Sequence, residues 1–393
     1  MPASESGSLS EPVSEPVALS ALTTLRVGGV PSRMLAPATE AELIDAAREV
    51  WATDEKWMLL GGGSNTLASD DPFDGTVIRL VTRGIEVLAP DSAPEPGLVR
   101  LRVQAGEPWD DLVAYTVAQG WAGLEALSGI PGAAGAAPVQ NIGAYGQEIA
   151  ASLTAIDFLD YESGDVQRLS AADLELGYRT SVLKQGLRGI VLAIELALHD
   201  TQAEASVLGS ALSQPVAYAQ LAGSLGVQLG DRVPIQDLRD TVLALRRSKG
   251  MVLDASDPDT NSAGSFFTNP IVSESFARTL PESAPRWAQE DVIPDRVIPL
   301  EDYYGVGPVP GIERVRLVKL SAAWLIENAW IRRGFRLPGS RAAISSKHTL
   351  ALTNTGGATA EEIAQLARFV QGRVAAEFGV VLQPEPVLIG VSL

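Results

Sequence analysis

The amino-acid sequence predicts an α+β fold divided over two or three domains. Three observations carry this. Apolar residues recur at helical spacing behind capping-box signatures in two places, they alternate with period two in several others, and 393 residues exceed the roughly 150 that one domain usually holds.

The elements follow in chain order. Residues 1–17, MPASESGSLSEPVSEPV, have neither a basic start nor an apolar centre, so they read as a disordered tail and not as a signal peptide. Thr39 and Glu42 form a capping box ahead of Leu43, Ile44, Ala47, Val50 and Trp51, one apolar helical face. Trp57 to Leu60 is a short apolar strand that ends on glycines. Val99, Leu101 and Val103 alternate as a strand, and Trp109 to Gln119 reads as a helix with Leu112, Val113, Thr116 and Val117 inward and Gly120 as its stop. Leu153 to Leu159 and Val166 to Leu169 flank a Ser163-Gly164-Asp165 turn, and Ile190, Leu192, Ile194, Leu196 and Leu198 alternate along a long strand. Thr359 and Glu362 repeat the capping box before Ile363, Leu366, Val370 and Val374, with Gly379 as the stop and a last strand at Val387 to Ile389. The segment 272–317 carries Pro281, Pro285, Pro294, Pro299, Pro308 and Pro310 with little periodicity, which predicts a long loop or lid-like insertion.

Composition narrows the chemistry. The chain has no cysteine, so disulfides, thiolate ligands and cysteine nucleophiles are excluded, and His199 and His348 alone are too few for a histidine-built metal centre. A net charge of −18 disfavours nucleic acid and anionic membrane as partners, because both require a basic surface. No apolar run approaches the ~20 residues of a membrane span. An anionic substrate would have to be held by local cations.

Two glycine-rich loops stand out. Gly61-Gly62-Gly63-Ser64-Asn65 follows a strand directly and suits a pyrophosphate, though the same residues also make a plain strand-to-helix turn. It is neither a Walker loop nor G-x-G-x-x-G. The second loop runs Ser128-Gly129-Ile130-Pro131-Gly132-Ala133-Ala134-Gly135-Ala136-Ala137-Pro138-Val139-Gln140-Asn141-Ile142-Gly143-Ala144-Tyr145-Gly146. Such a stretch packs backbone against backbone or against a flat ligand, and Gln140 and Asn141 can hydrogen-bond a heteroaromatic ring. Two such loops suggest one dinucleotide across both; a buried crossover without ligand is the alternative.

Further motifs bear chemistry. In Ala263-Gly264-Ser265-Phe266-Phe267-Thr268-Asn269-Pro270 a serine stands between a glycine and two aromatics, with no histidine base and no G-x-S-x-G elbow. Proton donation is the catalytic use left to it, and a turn or cap is its ordinary use. Tyr178-Arg179 can clamp a carboxylate or sit exposed. Arg246 and Lys249, three apart, share a helical face that can grip phosphates or simply be solvated. Glu385, between Pro384 and Pro386, is rigidly placed.

Taken together, GGGSN at 61–65, SGIPGAAGAAPVQNIGAYGQE at 128–148, YRTSVLK at 178–184, AGSFFTNP at 263–270 and QPEP at 383–386 resemble the MurB family of UDP-N-acetylenolpyruvoylglucosamine reductases, from about Leu22 to Gly390. The resemblance implies a two-part FAD-binding region of the vanillyl-alcohol-oxidase or PCMH type and a C-terminal α/β substrate-binding domain. It divides the chain into 18–84 (completed by 376–393), 85–240 and 241–375. It implies non-covalent FAD held by both loops, NADPH as reductant, and hydride passing from flavin N5 to C3 of the enolpyruvyl group. Arg179 and Glu385 would stabilise charge at C2 and Ser265 would protonate it. Tyr178, Tyr218, Arg246, Lys249, Asn269 and Lys319 would meet the UDP-sugar. It also implies a cytoplasmic enzyme of peptidoglycan synthesis, a monomer or weak oligomer. The family tail usually reads Glu-Pro-Glu and then an aliphatic residue, where this chain has Gln383-Pro384-Glu385-Pro386. The alternatives are another FAD oxidoreductase of the same fold and a non-catalytic nucleotide-binding protein.

Overall fold

The structure, a computed structural model, describes residues 15–89, 97–289 and 316–393. The expected tail lies outside these residues except for 15–17. The first unit contains β1 (Pro31–Leu35), α1 (Glu40–Trp51), β2 (Trp57–Leu60), β3 (Thr66–Ala68) and β4 (Phe73–Arg79). The reciprocal capping box forms, with the Glu42 amide donating to the Thr39 hydroxyl at 3.2 Å and the Thr39 amide donating to the Glu42 carboxylate at 3.1 Å. It starts α1 so that Leu43, Ala46, Ala47 and Val50 face the sheet. β1, β4 and β2 lie side by side in parallel, and β2 delivers the chain straight into the first glycine loop.

The second unit is an antiparallel sheet. It uses β5 (Ile85–Val87), β6 (Leu98–Gln104), α2 (Trp109–Ala118), β7 (Trp121–Ala122), β8 (Gly143–Ala144), β9 (Gln147–Glu148), β10 (Leu153–Asp160), β11 (Val166–Ser170), α3 (Val182–Gln185), β12 (Gly189–Asp200), α4 (Gln202–Leu208), α5 (Ala219–Leu225) and α6 (Ile235–Ser248). The strand order is β11-β10-β12-β6-β5, with β7 against the end of β12. The predicted even alternation of β12 is interrupted. Asp157 pairs with Ala193 but Phe158 pairs with Val191, so β12 bulges at this point. Ile190 and Leu192 therefore enter the core beneath α1, whereas Ile194, Leu196 and Leu198 enter the core beneath α2. One strand thereby ties the two units together.

The expected boundary at 240/241 falls inside α6, which runs unbroken to Ser248. Leu238 and Val242 pack in one cluster with Ala126, Val216 and Leu221 of the second unit, so the whole helix belongs there.

The third unit comprises β13 (Ile271–Ser273), α7 (Glu274–Ala277), β14 (Arg286–Gln289), β15 (Leu317–Leu320), α8 (Ala322–Asn328), β16 (Ala342–Ile344), β17 (Leu352–Asn354), α9 (Ala360–Phe378) and β18 (Val387–Ile389). The described part of the 272–317 segment is not the loop that its prolines predict: β13 and β14 flank β15 as a three-stranded antiparallel sheet. Residues 290–315 lie outside the description. α9 begins on the Thr359–Glu362 capping box and stops at Gly379, at φ 68°. Its buried face joins Phe266, Phe267, Leu325 and Ile344 and also Leu25 and Leu67 of the first unit. β18 then pairs in parallel with β3, so the end of the chain lies beside the first glycine loop.

Candidate active site

All three units line one cleft of about 650 Å³. Gly61, Gly62, Gly63, Ser64 and Asn65 form one wall, and Ile130, Pro131, Gly132, Gly135, Ala136 and Gln140 form the facing wall. The loops touch through glycines: a Cβ on Gly62 would stand 2.6 Å from the Gly132 Cα. Among the described residues, the amides of Gly62, Gly63 and Ser64 have no acceptor within the protein. A row of free amides on a Cβ-free surface is an anion cradle. Farther along, Tyr145 and Gly146 (φ 50° and 86°) join β8 to β9 as a two-residue turn and bring Tyr145 into the cleft.

Arg179 sits at the tip of a tight turn closed by Gly177 and Thr180, at φ 54°. Such a conformation costs a non-glycine residue energy and persists where surrounding bonds fix it. Here they do. The guanidinium donates to the Asn141 carbonyl at 3.2 Å and the Gly143 carbonyl at 2.8 Å, and its Nε lies 3.4 Å from Glu385 Oε1. Burial pushes the Glu385 carboxyl above the usual carboxylate range, opposed by Arg179, Lys184 and the Gln140 amide.

Ser265 reaches the same space. Phe266 donates its amide to the Leu350 carbonyl at 2.7 Å and accepts the Glu385 amide at 2.9 Å, while the Thr268 amide donates to the Gln383 carbonyl at 3.0 Å. These bonds bring AGSFFTNP and QPEP together and set Ser265 and Glu385 in one lining. Gly264 has φ 72°, the left-handed turn that lets Ser265 face the cleft while both phenylalanines enter the core. Among the described residues the Ser265 hydroxyl has no partner, so it is available to a ligand.

Two cations, Arg246 and Lys249, also line the cleft, together with His348. Arg246 donates to the Met251 carbonyl at 2.9 Å, yet its Nε is buried without a partner. Burial pushes the Arg246 and Lys249 pKa values down. The Lys249 ammonium donates to Gln220 at 3.0 Å and lies 5.3 Å from the Tyr145 ring centroid, and Tyr145 meets Tyr218 edge-on at 5.8 Å. Buried Glu125 accepts the Gly123 and Gln214 amides, each at 2.6 Å, tying the segment before Tyr218 to the turn that leads into the second loop.

Against known proteins, residues 31–170 match the family described as an FAD binding domain, and residues 257–389 match the C-terminal domain of UDP-N-acetylenolpyruvoylglucosamine reductase. The reductase of that name from Leifsonia xyli is 61% identical over 383 residues, 97% of this chain and all of that protein. The chain belongs to the UDP-N-acetylenolpyruvoylglucosamine reductase family. The reductase from Saccharopolyspora erythraea is 48% identical over 96% of this chain and 95% of its own length. The crystal structure of the Thermus caldophilus reductase superposes with a TM-score of 0.58 at 25% identity, covering 96% of this chain and 98% of that one. The fold is accordingly the two-part flavin-binding region with the family's C-terminal domain. Among the described residues, no helix is long and apolar enough to cross a membrane.

The cleft fits the flavin dinucleotide that this reductase family's fold implies. The facing glycine loops approach each other through Cβ-free backbone, free amides lie on one of them, and Arg246, whose Nε–H is buried without a partner, lines the same cleft.

Most residues expected at the reductase site line this cleft, including Gly143, Ala144, Tyr178 and Asn269; four do not. Asn141 is turned away by its φ of 46°, and its side chain donates to Glu148 and to the Gly177 carbonyl. The Ser128 hydroxyl donates to the Glu125 carbonyl at 2.6 Å, and the Gly129 amide donates to Asp110 at 2.6 Å. These three residues shape the loop from behind. Lys319, on β15, stands 4.7 Å from the Tyr178 ring centroid and backs that residue. Asn269 spends its carbonyl oxygen on the Ala322 amide at the start of α8.

His348 was not legible as a site residue in the sequence. It lies between β16 and β17, and only tertiary packing brings it beside Lys249, Arg333, Arg246 and Glu327. Burial, reinforced by the neighbouring cations, lowers its pKa from 6.5 to about 4. Between those values the unfolded chain takes up a proton that the folded chain refuses, so stability falls as pH falls through the window. Denaturant midpoints at pH 7 and pH 5 should drop further for the wild-type chain than for His348→Gln. Equal drops would show that His348 adds nothing to acid sensitivity.

Proposed function

We infer that this chain reduces UDP-N-acetylglucosamine enolpyruvate to UDP-N-acetylmuramate with NADPH, as an FAD-dependent reductase of peptidoglycan precursor synthesis. The convergence of Ser265, Arg179 and Glu385 on the cleft that the two glycine loops line carries the reading. We place it in the cytoplasm, as a monomer or weak oligomer with neither nucleic acid nor membrane as partner.

Gly61 to Asn65 and the Ile130 to Tyr145 stretch would hold the flavin, which supplies hydride transfer from NADPH to C3 of the enolpyruvyl double bond. Hydride addition at C3 leaves an electron pair at C2 that the adjacent carboxylate delocalises. Arg179, fixed by two backbone carbonyls, is suited to that developing charge, and Glu385 orders it. The Ser265 O–H bond breaks as its proton goes to C2, and solvent reprotonates the serine. Arg246 and Lys249 balance the ligand's phosphates in a chain whose net charge is −18. Tyr218 would cover the bound nucleotide sugar.

The test is spectroscopic. Protein loaded with FAD should be yellow, should be bleached anaerobically by NADPH and should regain its colour with the enolpyruvyl UDP-sugar. A protein that cannot be loaded with FAD, or a reduced flavin untouched by that substrate, would contradict the reading.

A further inference from the structure

We propose that Asn65 and Gln140 form a positioning relay that orients the Glu385 carboxyl towards Arg179, with the polarity of the relay set by the backbone carbonyl of Glu385 itself. The proposal rests on the assignment of Glu385 to the reduction. The bonds close a ring. Asn65 Nδ2 donates to the Glu385 carbonyl oxygen at 3.2 Å and to Gln140 Oε1 at 3.1 Å, and Gln140 Nε2 donates to Glu385 Oε1 at 3.1 Å. That oxygen is also the one 3.4 Å from Arg179 Nε.

A side-chain amide can present either end, so a lone glutamine could offer the carboxylate a donor or an acceptor. This ring removes the choice. A backbone carbonyl has no donor form, so it holds the NH2 end of Asn65, and that NH2 end in turn claims the oxygen of Gln140. Gln140 is left with its NH2 group facing Glu385. Reversing Gln140 would set NH2 against NH2 and oxygen against carboxylate.

The backbone holds the relay in register. The Val387 amide donates to the Asn65 carbonyl and the Glu385 amide to the Phe266 carbonyl, each at 2.9 Å. Pro384 and Pro386 fix φ on either side of Glu385 and offer no competing N–H. The relay thus joins the first glycine loop, the second glycine loop and the end of the chain. The charged groups facing the carboxyl are Arg179 and Lys184, and the Gln140 donor acts beside them on the ionised form.

The holoenzyme, pre-reduced with NADPH, is mixed with the enolpyruvyl UDP-sugar across the pH range, and the midpoint assigned to Glu385 by its loss in Glu385→Gln is followed. Gln140→Leu removes a donor from an anion and should raise that midpoint by about one to two pH units. Asn65→Leu, which frees Gln140 to rotate, should raise it by less, and the double variant should not exceed Gln140→Leu. Where a variant turns over too slowly, the carboxyl stretch of Glu385 in infrared difference spectra against Glu385→Gln reports the same titration. An unmoved midpoint in Gln140→Leu, or additive shifts in the double variant, overturns the relay. A wild-type pH profile retained in Glu385→Gln instead overturns the catalytic assignment of Glu385, and the infrared titration still decides the relay.

Discussion

Gly62→Ala should abolish stable flavin retention, weakening FAD binding about 100-fold or more. The added Cβ would meet the Gly132 Cα at 2.6 Å and its carbonyl carbon at 2.9 Å, backbone atoms that cannot rotate aside as a side-chain tip can. Strain of that kind costs about 1–3 kcal/mol or more, and about 1.4 kcal/mol is already tenfold in an equilibrium constant. Relief would come from the two loops moving apart, which widens the cleft wall that has to close on the cofactor. The ratio of flavin to protein absorbance after gel filtration measures this. Gly372→Ala is the control. Gly372 lies inside α9 with nothing within 4 Å of the added Cβ, so alanine there should leave flavin retention unchanged and help the helix.

Ser265→Ala should lower steady-state turnover by about 10² to 10⁴-fold, the usual contribution of a positioned proton donor. Folding should be little affected. The hydroxyl makes no bond within the described residues, so its removal leaves no buried group unpaired. The backbone bonds of Phe266 and Thr268 that shape the loop do not involve the serine side chain. Steady-state assays with saturating NADPH and substrate, alongside a denaturant titration, separate lost chemistry from lost structure.

What was legible in the sequence was mostly local. The two capping boxes and the Gly379 stop lie within single helices, and each formed as spacing predicts. The five motifs were also legible, because each is contiguous and the cleft gathers them from all three units. Information that lives in pairing was not. The bulge in β12 arises from its register with β10, and period-two alternation carries no sign of it. The boundary that the resemblance implies falls inside α6, and the apolar face of that helix does not by itself say which core receives it. Gln140 and Asn141 look equivalent in sequence, yet a positive φ at Asn141 sends neighbouring amides to opposite duties. Arg246 and Lys249 do meet in the cleft, although Lys249 lies just beyond the last helical residue, Ser248. The prolines of 272–289 suggested a loop, but the strand edges formed there are assembled by β15, some thirty residues farther along.

Ser265 is proposed to donate a proton to substrate carbon within a flavin cleft whose other functions do not need it. Anaerobic stopped-flow traces of the two half-reactions in Ser265→Ala test this most directly. Flavin reduction by NADPH should proceed at the wild-type rate, and reoxidation by the enolpyruvyl UDP-sugar should be slowed by the full loss seen in turnover. Equal slowing of both half-reactions, or reoxidation at the wild-type rate, would contradict it.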